Sequence, residues 1–306
     1  MNIFVSGGAG FIGSHLVEKL SINNKIIVFD NLLRGSKLKI NNNITLVNKN
    51  IKNYEDVKKA MNGCDIVFHL AAFLGVDEVA KNPIETMETE SIGTFNVINS
   101  CIHHKINKII YASTSGIYGK VDIDKAVQED FQVSPSSSYA IAKRYNEIYL
   151  KSLYLEHQIH NFSLRYFNIY GPRQDNRMVI PRFFEQSLNG NDVIVYGDGL
   201  QTRDFTFIDD TVNATIEIAM KCNGTEIINI TKGEDITILE LAEKIIKLTK
   251  SKSKIKLVNN PNFRKDYEVQ KRFGSSDKLL RLIGRKPEIS LDEGLELTLK
   301  YIKENQ

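Results

Sequence analysis

The chain has 306 residues, 42% of them hydrophobic, with acids and bases interspersed and a formal net charge of +3. That length can bury a large core as one big domain or two unequal ones, and so mild a charge gives no argument for nucleic-acid binding. Cys64, Cys101 and Cys222 have neither metal spacing nor the even number of a disulfide framework, and no apolar run reaches the roughly 18 residues of a membrane helix, so a cytoplasmic chain with reduced, buried thiols is expected.

The first strand, Ile3 to Val5, begins almost at the first residue, which leaves no room for a signal peptide. It runs straight into Gly7-Gly8-Ala9-Gly10-Phe11-Ile12-Gly13, with a helix predicted from Phe11 to Ser21. One glycine makes the tight turn, one lets a pyrophosphate touch backbone, and one lets helix pack on strand. The helix N-terminus then offers free N–H groups and a positive dipole end to phosphate. A second strand, Lys25 to Phe29, leads to Asp30, which follows Gly10 at dinucleotide-fingerprint spacing. A carboxylate there accepts hydrogen bonds from both adenosine ribose hydroxyls and repels a 2′-phosphate, which points to NAD rather than NADP. Arg34 nearby reads as a surface residue.

Further strands are predicted at Ile44–Val47, Asp65–Leu70, Lys108–Ser113 and Asn161–Phe167. Helices fit between them at Tyr54–Met61, Ile84–His104 and Tyr139–His157. Continuous apolar strands alternating with helices imply a doubly wound parallel α/β sheet of the Rossmann type. The fourth strand ends in Leu70-Ala71-Ala72, small residues that let backbone approach a ligand; His69 inside it reads as a satisfied core histidine. Thr114 ends the next strand, and alternation points Ser113 and Ser115 to the opposite face.

Tyr139-Ala-Ile-Ala-Lys143 opens the following helix. Positions i and i+4 lie one above the other, so the ammonium of Lys143 can stabilise a Tyr139 phenolate. A free phenol titrates near 10; serving as a base near neutrality requires a drop of roughly 3 units, or about 4 kcal/mol. Lys143 and an oxidised nicotinamide are expected to supply it. Such a pair beside NAD is suited to alcohol-to-ketone chemistry.

After Gly171-Pro172 the pattern loosens into a smaller mixed α/β part. Helices are predicted at Ile180–Asn189, Asp210–Lys221, Ile238–Thr249 and from Leu291, with strands at Val193–Tyr196 and Arg203–Ile208. The basic stretch from Lys247 to Lys256 reads as solvated surface. The expected division is 1–170 for NAD and 171–306 for substrate, interleaved, with the active site in the seam.

These motifs resemble the extended short-chain dehydrogenase/reductase family, and within it the NAD-dependent nucleotide-sugar epimerases and dehydratases of the UDP-glucose 4-epimerase type. The resemblance spans nearly the whole chain. It rests on the glycine fingerprint, His69-Leu70-Ala71-Ala72, Ala112-Ser113-Thr114-Ser115-Gly116-Ile117-Tyr118-Gly119 and Tyr139…Lys143. It continues through Leu164-Arg165-Tyr166-Phe167-Asn168-Ile169-Tyr170-Gly171-Pro172-Arg173 and Gly197-Asp198-Gly199-Leu200-Gln201-Thr202-Arg203-Asp204-Phe205.

The resemblance implies Thr114, Tyr139 and Lys143 as catalytic residues. It implies NAD contacts from Gly7, Gly10, Phe11, Ile12, Gly13, Asp30, Asn31, Asn50, Ile51, Leu70, Ala71, Ala72, Ser113 and Tyr166, beside Tyr139 and Lys143. Lys143 is expected to hydrogen-bond the nicotinamide ribose. The nucleotide-diphosphate sugar is assigned Thr114 and Tyr139 at the sugar, Asn168 and Arg203 at the diphosphate, and Val179 with Met178 and Pro181 in the pocket. Tyr196 is assigned to the base, with a core aromatic as its alternative. Arg264 is the second diphosphate contact, with Lys265 as the competing position. Arg272 falls where the family sets tolerance for sugar substituents; it either meets a sugar carboxylate or is a salt-bridged surface residue. No metal is implied, and a homodimer through the helices at 84–104 and 139–157 is.

Three positions depart from the family pattern: Glu90 replaces a common Asn, Asn50 a common Asp, and Leu74 a common Lys. The sugar 4,6-dehydratases carry an Asp-Glu pair after the catalytic threonine, and UDP-glucuronate decarboxylases keep the Glu. Here Ser115 and Gly116 stand there. The expected activity is therefore 4-epimerisation of UDP-glucose and UDP-galactose through a 4-keto sugar. UDP-glucuronate or UDP-N-acetylhexosamine epimerisation is the alternative, with dehydration or decarboxylation behind it. A non-catalytic NAD-binding protein is the reading from a different class.

Overall fold

The apolar runs of the first half form the centre of a parallel sheet. The computed structural model describes residues 1–73, 75–120, 125–260 and 269–305. The chain begins with β1 (Asn2–Ser6), α1 (Phe11–Leu20), β2 (Lys25–Asp30), β3 (Ile44–Asn48), α2 (Tyr54–Ala60) and β4 (Ile66–His69). It continues through α3 (Val76–Lys81), α4 (Pro83–Met87), a π-helical stretch (Glu88–Ile92), α5 (Gly93–His104), β5 (Lys108–Thr114) and a 3₁₀ turn (Ser115–Tyr118) to α6 (Ser138–His157) and β6 (His160–Tyr166). There follow β7 (Asn168–Tyr170), α7 (Val179–Leu188), β8 (Val193–Tyr196), β9 (Thr202–Phe207), α8 (Ile208–Lys221) and β10 (Thr225–Ile230). The last elements are β11 (Asp235–Thr237), α9 (Ile238–Thr249), β12 (Ile255–Val258), α10 (Asp277–Ile283) and α11 (Leu291–Glu304).

Among the described residues, the main sheet has seven strands in the order β10-β6-β5-β4-β1-β2-β3. Its order reverses between β1 and β4, which pair in parallel from Ile3↔Ile66 to Ser6↔His69. Such a switch point leaves a crevice outside the strands' carboxyl ends. Gly7 and Leu70 to Ala72 follow those two ends directly. Both faces of β1 are apolar because helices cover both; Ile3, Phe4 and Val5 are fully buried. Phe4, Phe29, Val67, Ile109 and Tyr111 form one core cluster with Val57 of α2, Val97 of α5 and Leu150 of α6.

Contacts divide the chain into two units: 1–117 with 135–166 and 212–228, and 118–134 with 167–211 and 229–306. The second unit carries a three-stranded sheet (β11-β9-β7) and a parallel pair (β12-β8). In it, α9 begins with a capping box in which Thr237 and Glu240 satisfy each other's backbone amides.

The expected elements form close to their predicted bounds, with one change of kind. Ile84–His104 is not one helix: α4 and α5 flank the π turn, whose wider backbone swings Glu90 into the interior, fully buried. Short β7, β11 and β12, strand β10 and helices α3 and α10 were not expected; β10 is an edge strand of the main sheet. Apart from β10, they are too short for periodicity to reveal.

Candidate active site

The glycine turn is shaped for a dinucleotide. Gly7 has φ +69, and a Cβ there would lie 2.6 Å from the Ala71 amide nitrogen. At Gly13 a Cβ would lie 2.2 Å from the Gly7 carbonyl oxygen, so only glycine lets α1 approach β1 this closely. The N-cap of α1, Gly10, makes no side-chain bond, and no acidic residue sits in the first turn. The amides of Phe11 and Ile12 thus face outward from an uncapped, positive helix end. Asp30 closes the crevice at the tip of β2; its oxygens accept from Ala9 N (3.0 Å) and Leu32 N (2.9 Å), with lone pairs to spare for ribose hydroxyls. Backbone of Leu70 and Ala71 lines the facing strand end: Leu70 N donates to Ser6 O (3.0 Å), and Ala71 N to Ser6 Oγ (3.3 Å). Ala72 follows them, half-buried.

Asn31 and Asn50 are exposed, each ordering its own turn by accepting from Leu33 N (3.1 Å) and Lys52 N (2.9 Å). Ile51 is buried, and its carbonyl accepts from Asn96 Nδ2 (3.0 Å). These residues fit an NAD molecule laid across the switch point. When bound, NAD supplies a reversible hydride acceptor.

The chemistry-bearing side chains converge in the same unit. Tyr139 lies in the first turn of α6, whose N-cap Ser137 accepts from Ala140 N. The Thr114 hydroxyl accepts from Gly116 N (3.0 Å) and favours the anionic form of the Tyr139 phenol. Lys143 is buried, its Nζ 5.5 Å from the Tyr139 ring centroid and 4.7 Å from that of Tyr111. It donates to the Ala112 carbonyl (2.8 Å) and pairs with Glu90 Oε2 (3.0 Å), leaving one of its three N–H directions open. That third donor is what a ribose hydroxyl would use.

A lowered Tyr139 phenol does not follow from the chain's own groups. They hold it above its ordinary range: burial first, then the negative charge of Glu90, opposed by the Thr114 hydroxyl and the Arg34 charge. The Glu90 carboxylate is the second cause after burial, and it is also the ion-pair partner of Lys143. Arg34, read from sequence as a surface residue, is exposed, yet its charge acts on Tyr139.

Two assigned cofactor residues send their hydroxyls elsewhere. Ser113 donates to Glu147 Oε1 (2.6 Å), and Glu147 also pairs with Arg165 (3.0 Å), all three buried. The Tyr166 phenol meets the Thr215 hydroxyl at 2.9 Å. His69 is the satisfied core residue expected: it lies between Ser6 Oγ (2.6 Å) and Thr94 Oγ1 (2.9 Å), and burial lowers its pKa to about 3.

The second unit holds the residues assigned to the nucleotide. Asn168 donates to the Asp204 carbonyl (3.0 Å), and Val179 opens α7. Tyr196 ends β8 with the Arg182 guanidinium 5.1 Å from its ring centroid. Arg203 donates to the carbonyls of Thr202 and Val269, each at 2.7 Å. Arg272 is not a salt-bridged surface residue: it donates to the Gly119 carbonyl (3.2 Å), and burial with the nearby Arg203 charge brings its pKa down to about 10. Arg264 and Lys265 lie outside the described residues, as does Leu74. Sequence reasoning noted Glu90 only as a departure. It missed Tyr111 and Asn146, whose amide donates to the Tyr111 hydroxyl (2.8 Å) and the Glu90 carbonyl (2.9 Å). A carboxylate inside an apolar helical run was the available signal.

The strand order, the glycine turn and the Tyr–Lys helix together define an extended short-chain dehydrogenase/reductase with an NAD site. The model of the NAD dependent epimerase/dehydratase family matches residues 3–231, and the chain belongs to that family. It is 38% identical to the UDP-N-acetyl-alpha-D-glucosaminuronate decarboxylase of Bacillus cytotoxicus, over 98% of this chain and 97% of that one. It is 34% identical to the putative UDP-glucose 4-epimerase of Methanocaldococcus jannaschii, over 99% of each. The crystal structure of UDP-glucose 4-epimerase from Thermotoga maritima, with UDP-glucose, superposes with a TM-score of 0.94 at 32% identity, covering 100% of this chain and 99% of that one.

Proposed function

We propose that the chain is an NAD-dependent 4-epimerase of UDP-hexoses, interconverting UDP-glucose and UDP-galactose through a transient 4-keto sugar. The observation that carries this is buried Lys143 with its Nζ 5.5 Å from the Tyr139 ring centroid, on a phenol that Thr114 also influences, with no acid next to Thr114 in the sequence. Ser115 and Gly116 occupy the positions a dehydratase or decarboxylase needs for a carboxylate. A side chain at 116 would also crowd Thr114, since a Cβ there would lie 3.3 Å from Thr114 Oγ1.

In this reading Tyr139 removes the proton from the C4 hydroxyl while Thr114 holds that oxygen in line. Lys143 orients the nicotinamide ribose, and the positive charge of the oxidised nicotinamide would stabilise the phenolate. After oxidation, the keto sugar rotates about its diphosphate link, and Tyr139 returns the proton to the opposite face. Tyr139 starts and ends each cycle in the same protonation state, so no outside base is consumed. Asn168, Val179, Tyr196, Arg203 and Arg264 are assigned to the nucleotide end, where guanidinium forks suit phosphate oxygens.

Arg272 supports a second reading. Two neighbouring guanidiniums, Arg203 and Arg272, favour two anionic groups, and a UDP-hexuronate offers a carboxylate beside its diphosphate. The 38% identical decarboxylase gives this weight.

Product analysis by NMR after incubation with UDP-glucose, UDP-glucuronate and UDP-N-acetylglucosamine separates these readings. UDP-galactose from UDP-glucose is the expected product. UDP-galacturonate or a decarboxylated pentose from UDP-glucuronate alone would move the assignment to uronates. Tightly bound NAD with no turnover of any sugar would leave a non-catalytic NAD-binding protein.

The chain is further proposed to be a cytoplasmic homodimer. Cys64, Cys101 and Cys222 are free, buried thiols, as a reducing compartment favours. Among the described residues, no helix is long and apolar enough to cross a membrane. Ile141, Tyr145, Ile148 and Leu155 make an exposed apolar stripe along α6, and Ile84, Ile92 and Phe95 add to it from the preceding helices. That surface is suited to a second copy.

A further inference from the structure

The most unusual group near Tyr139 is one the reaction does not call for. Glu90 is fully buried, and a carboxylate is rarely buried without a partner. Its environment is closed on every side. Oε1 accepts from Phe73 N (2.9 Å), and Oε2 lies 3.0 Å from Lys143 Nζ, itself only 1% exposed. Among the described residues Oε2 accepts no hydrogen bond, so the ion pair with Lys143 is what compensates it. Asn146 of α6 holds the Glu90 carbonyl (2.9 Å) and, with the same amide, Thr94 Oγ1 (3.2 Å) and the Tyr111 hydroxyl (2.8 Å). The titratable groups facing the pair are His69 from β4, Tyr111 from β5 and Tyr139 from α6, with Arg34 reaching Tyr139 and Glu147 reaching Tyr111. The π turn is the local device that points the carboxylate inward.

We propose that Glu90 is a positioning residue that locks the Lys143 ammonium into a buried ion pair, so that Tyr139 faces a neutral pair rather than a free positive charge. An ammonium 5.5 Å from the phenol ring would on its own make the phenolate easy to form. With the carboxylate beside it, that influence is largely cancelled. The phenol then stays protonated until a further positive charge enters the site. Glu90 thereby makes the strength of the base depend on the oxidised nicotinamide rather than on Lys143 alone. Burial pushes the Glu90 carboxyl up while Lys143 draws it down, as expected for a pair that must share one charge balance. This inference rests on the reading of Tyr139 as the base.

The test is the titration of Tyr139 in the purified holoenzyme, followed by NMR of ¹³Cζ-labelled tyrosine, with the resonance identified by its loss in Tyr139→Phe. In Glu90→Gln and Glu90→Asn the midpoint should fall by about 1–2 pH units, and the acid limb of the pH–kcat profile should move with it. Glu90→Asp, which keeps the charge, should restore the wild-type midpoint. Amide variants that lose thermal stability but keep the wild-type midpoint would reduce Glu90 to a structural residue and overturn the proposal. If neither amide variant folds, the comparison is Lys143→Met against Lys143→Met/Glu90→Gln at mildly alkaline pH. The double variant should melt higher, because it buries no unpaired carboxylate. The reverse order would also overturn the proposal. The NMR midpoint needs no turnover, so it fails or succeeds separately from the assignment of Tyr139, which an active Tyr139→Phe enzyme would remove.

Discussion

Tyr139 is held by opposing influences within a few ångströms. Burial and Glu90 favour the neutral phenol, whereas the Thr114 hydroxyl and the Arg34 charge favour the anion. In the proposed mechanism, replacing Tyr139 with Phe removes the group that takes the C4 proton. Turnover should fall by at least about a hundredfold, with NAD retained through gel filtration and read by its absorbance after denaturation. His69 carries a different residue-scale expectation. Its pKa is lowered from 6.5 to about 3, so the folded protein binds fewer protons than the unfolded chain between those values. Stability is therefore fully present above the unfolded value of 6.5 and is lost as pH falls toward 3. His69→Gln, which can still bridge Ser6 and Thr94, should flatten that part of the curve in urea unfolding at stepped pH. An unchanged slope would mean that other groups set it.

The helix α6 does two jobs, and its faces divide them. Tyr139, Lys143 and Asn146 face the catalytic cluster, while Glu147 ties the helix to the sheet through Ser113 and Arg165, which are register partners on β5 and β6. Breaking that tie leaves the Arg165 guanidinium buried with its main partner gone. Glu147→Ala should cost about 3–5 kcal/mol in denaturant unfolding. Because α6 also carries the Tyr–Lys pair, kcat should fall as well. A cost below about 1 kcal/mol, the range of exposed pairs, would show that the tie is not maintained in solution.

At the scale of the whole molecule, one face of α6 presents several exposed apolar side chains among the described residues. Ile148 is 56% exposed and Tyr145 55%, on a face that also presents Ile141 and Leu155. In a homodimer these side chains are covered, and a charge at the centre of the seam is poorly tolerated. Ile148→Glu should give a monomer by light scattering, with far-UV CD unchanged. A wild-type chain that is monomeric at micromolar concentration would end the dimer assignment. Three polar residues of α6, Lys143, Asn146 and Glu147, are instead buried, whereas Lys151, Glu156 and His157 are exposed.

How much of this was legible in the chain follows from the range of each interaction. Strand–glycine–helix order, Asp30 at the tip of β2, and a tyrosine and lysine one turn apart are local patterns, so the sequence by itself determined the Rossmann sheet and the NAD cofactor, and it supplied the candidate for the base. The Ile84–His104 run read as a single helix because a π turn keeps helical apolar spacing and betrays itself only in its hydrogen bonds. Ser113 and Tyr166 were assigned to the cofactor because their neighbours carry the family motif. Only packing decided that one hydroxyl belongs to Glu147 and the other to Thr215. The pairing of Glu90 with Lys143 spans 53 residues of sequence, as their numbers show, and depends on the turn that aims the carboxylate inward. Charge in a buried site is set by neighbours from distant parts of the chain, and those neighbours exist only once the tertiary structure has brought them together.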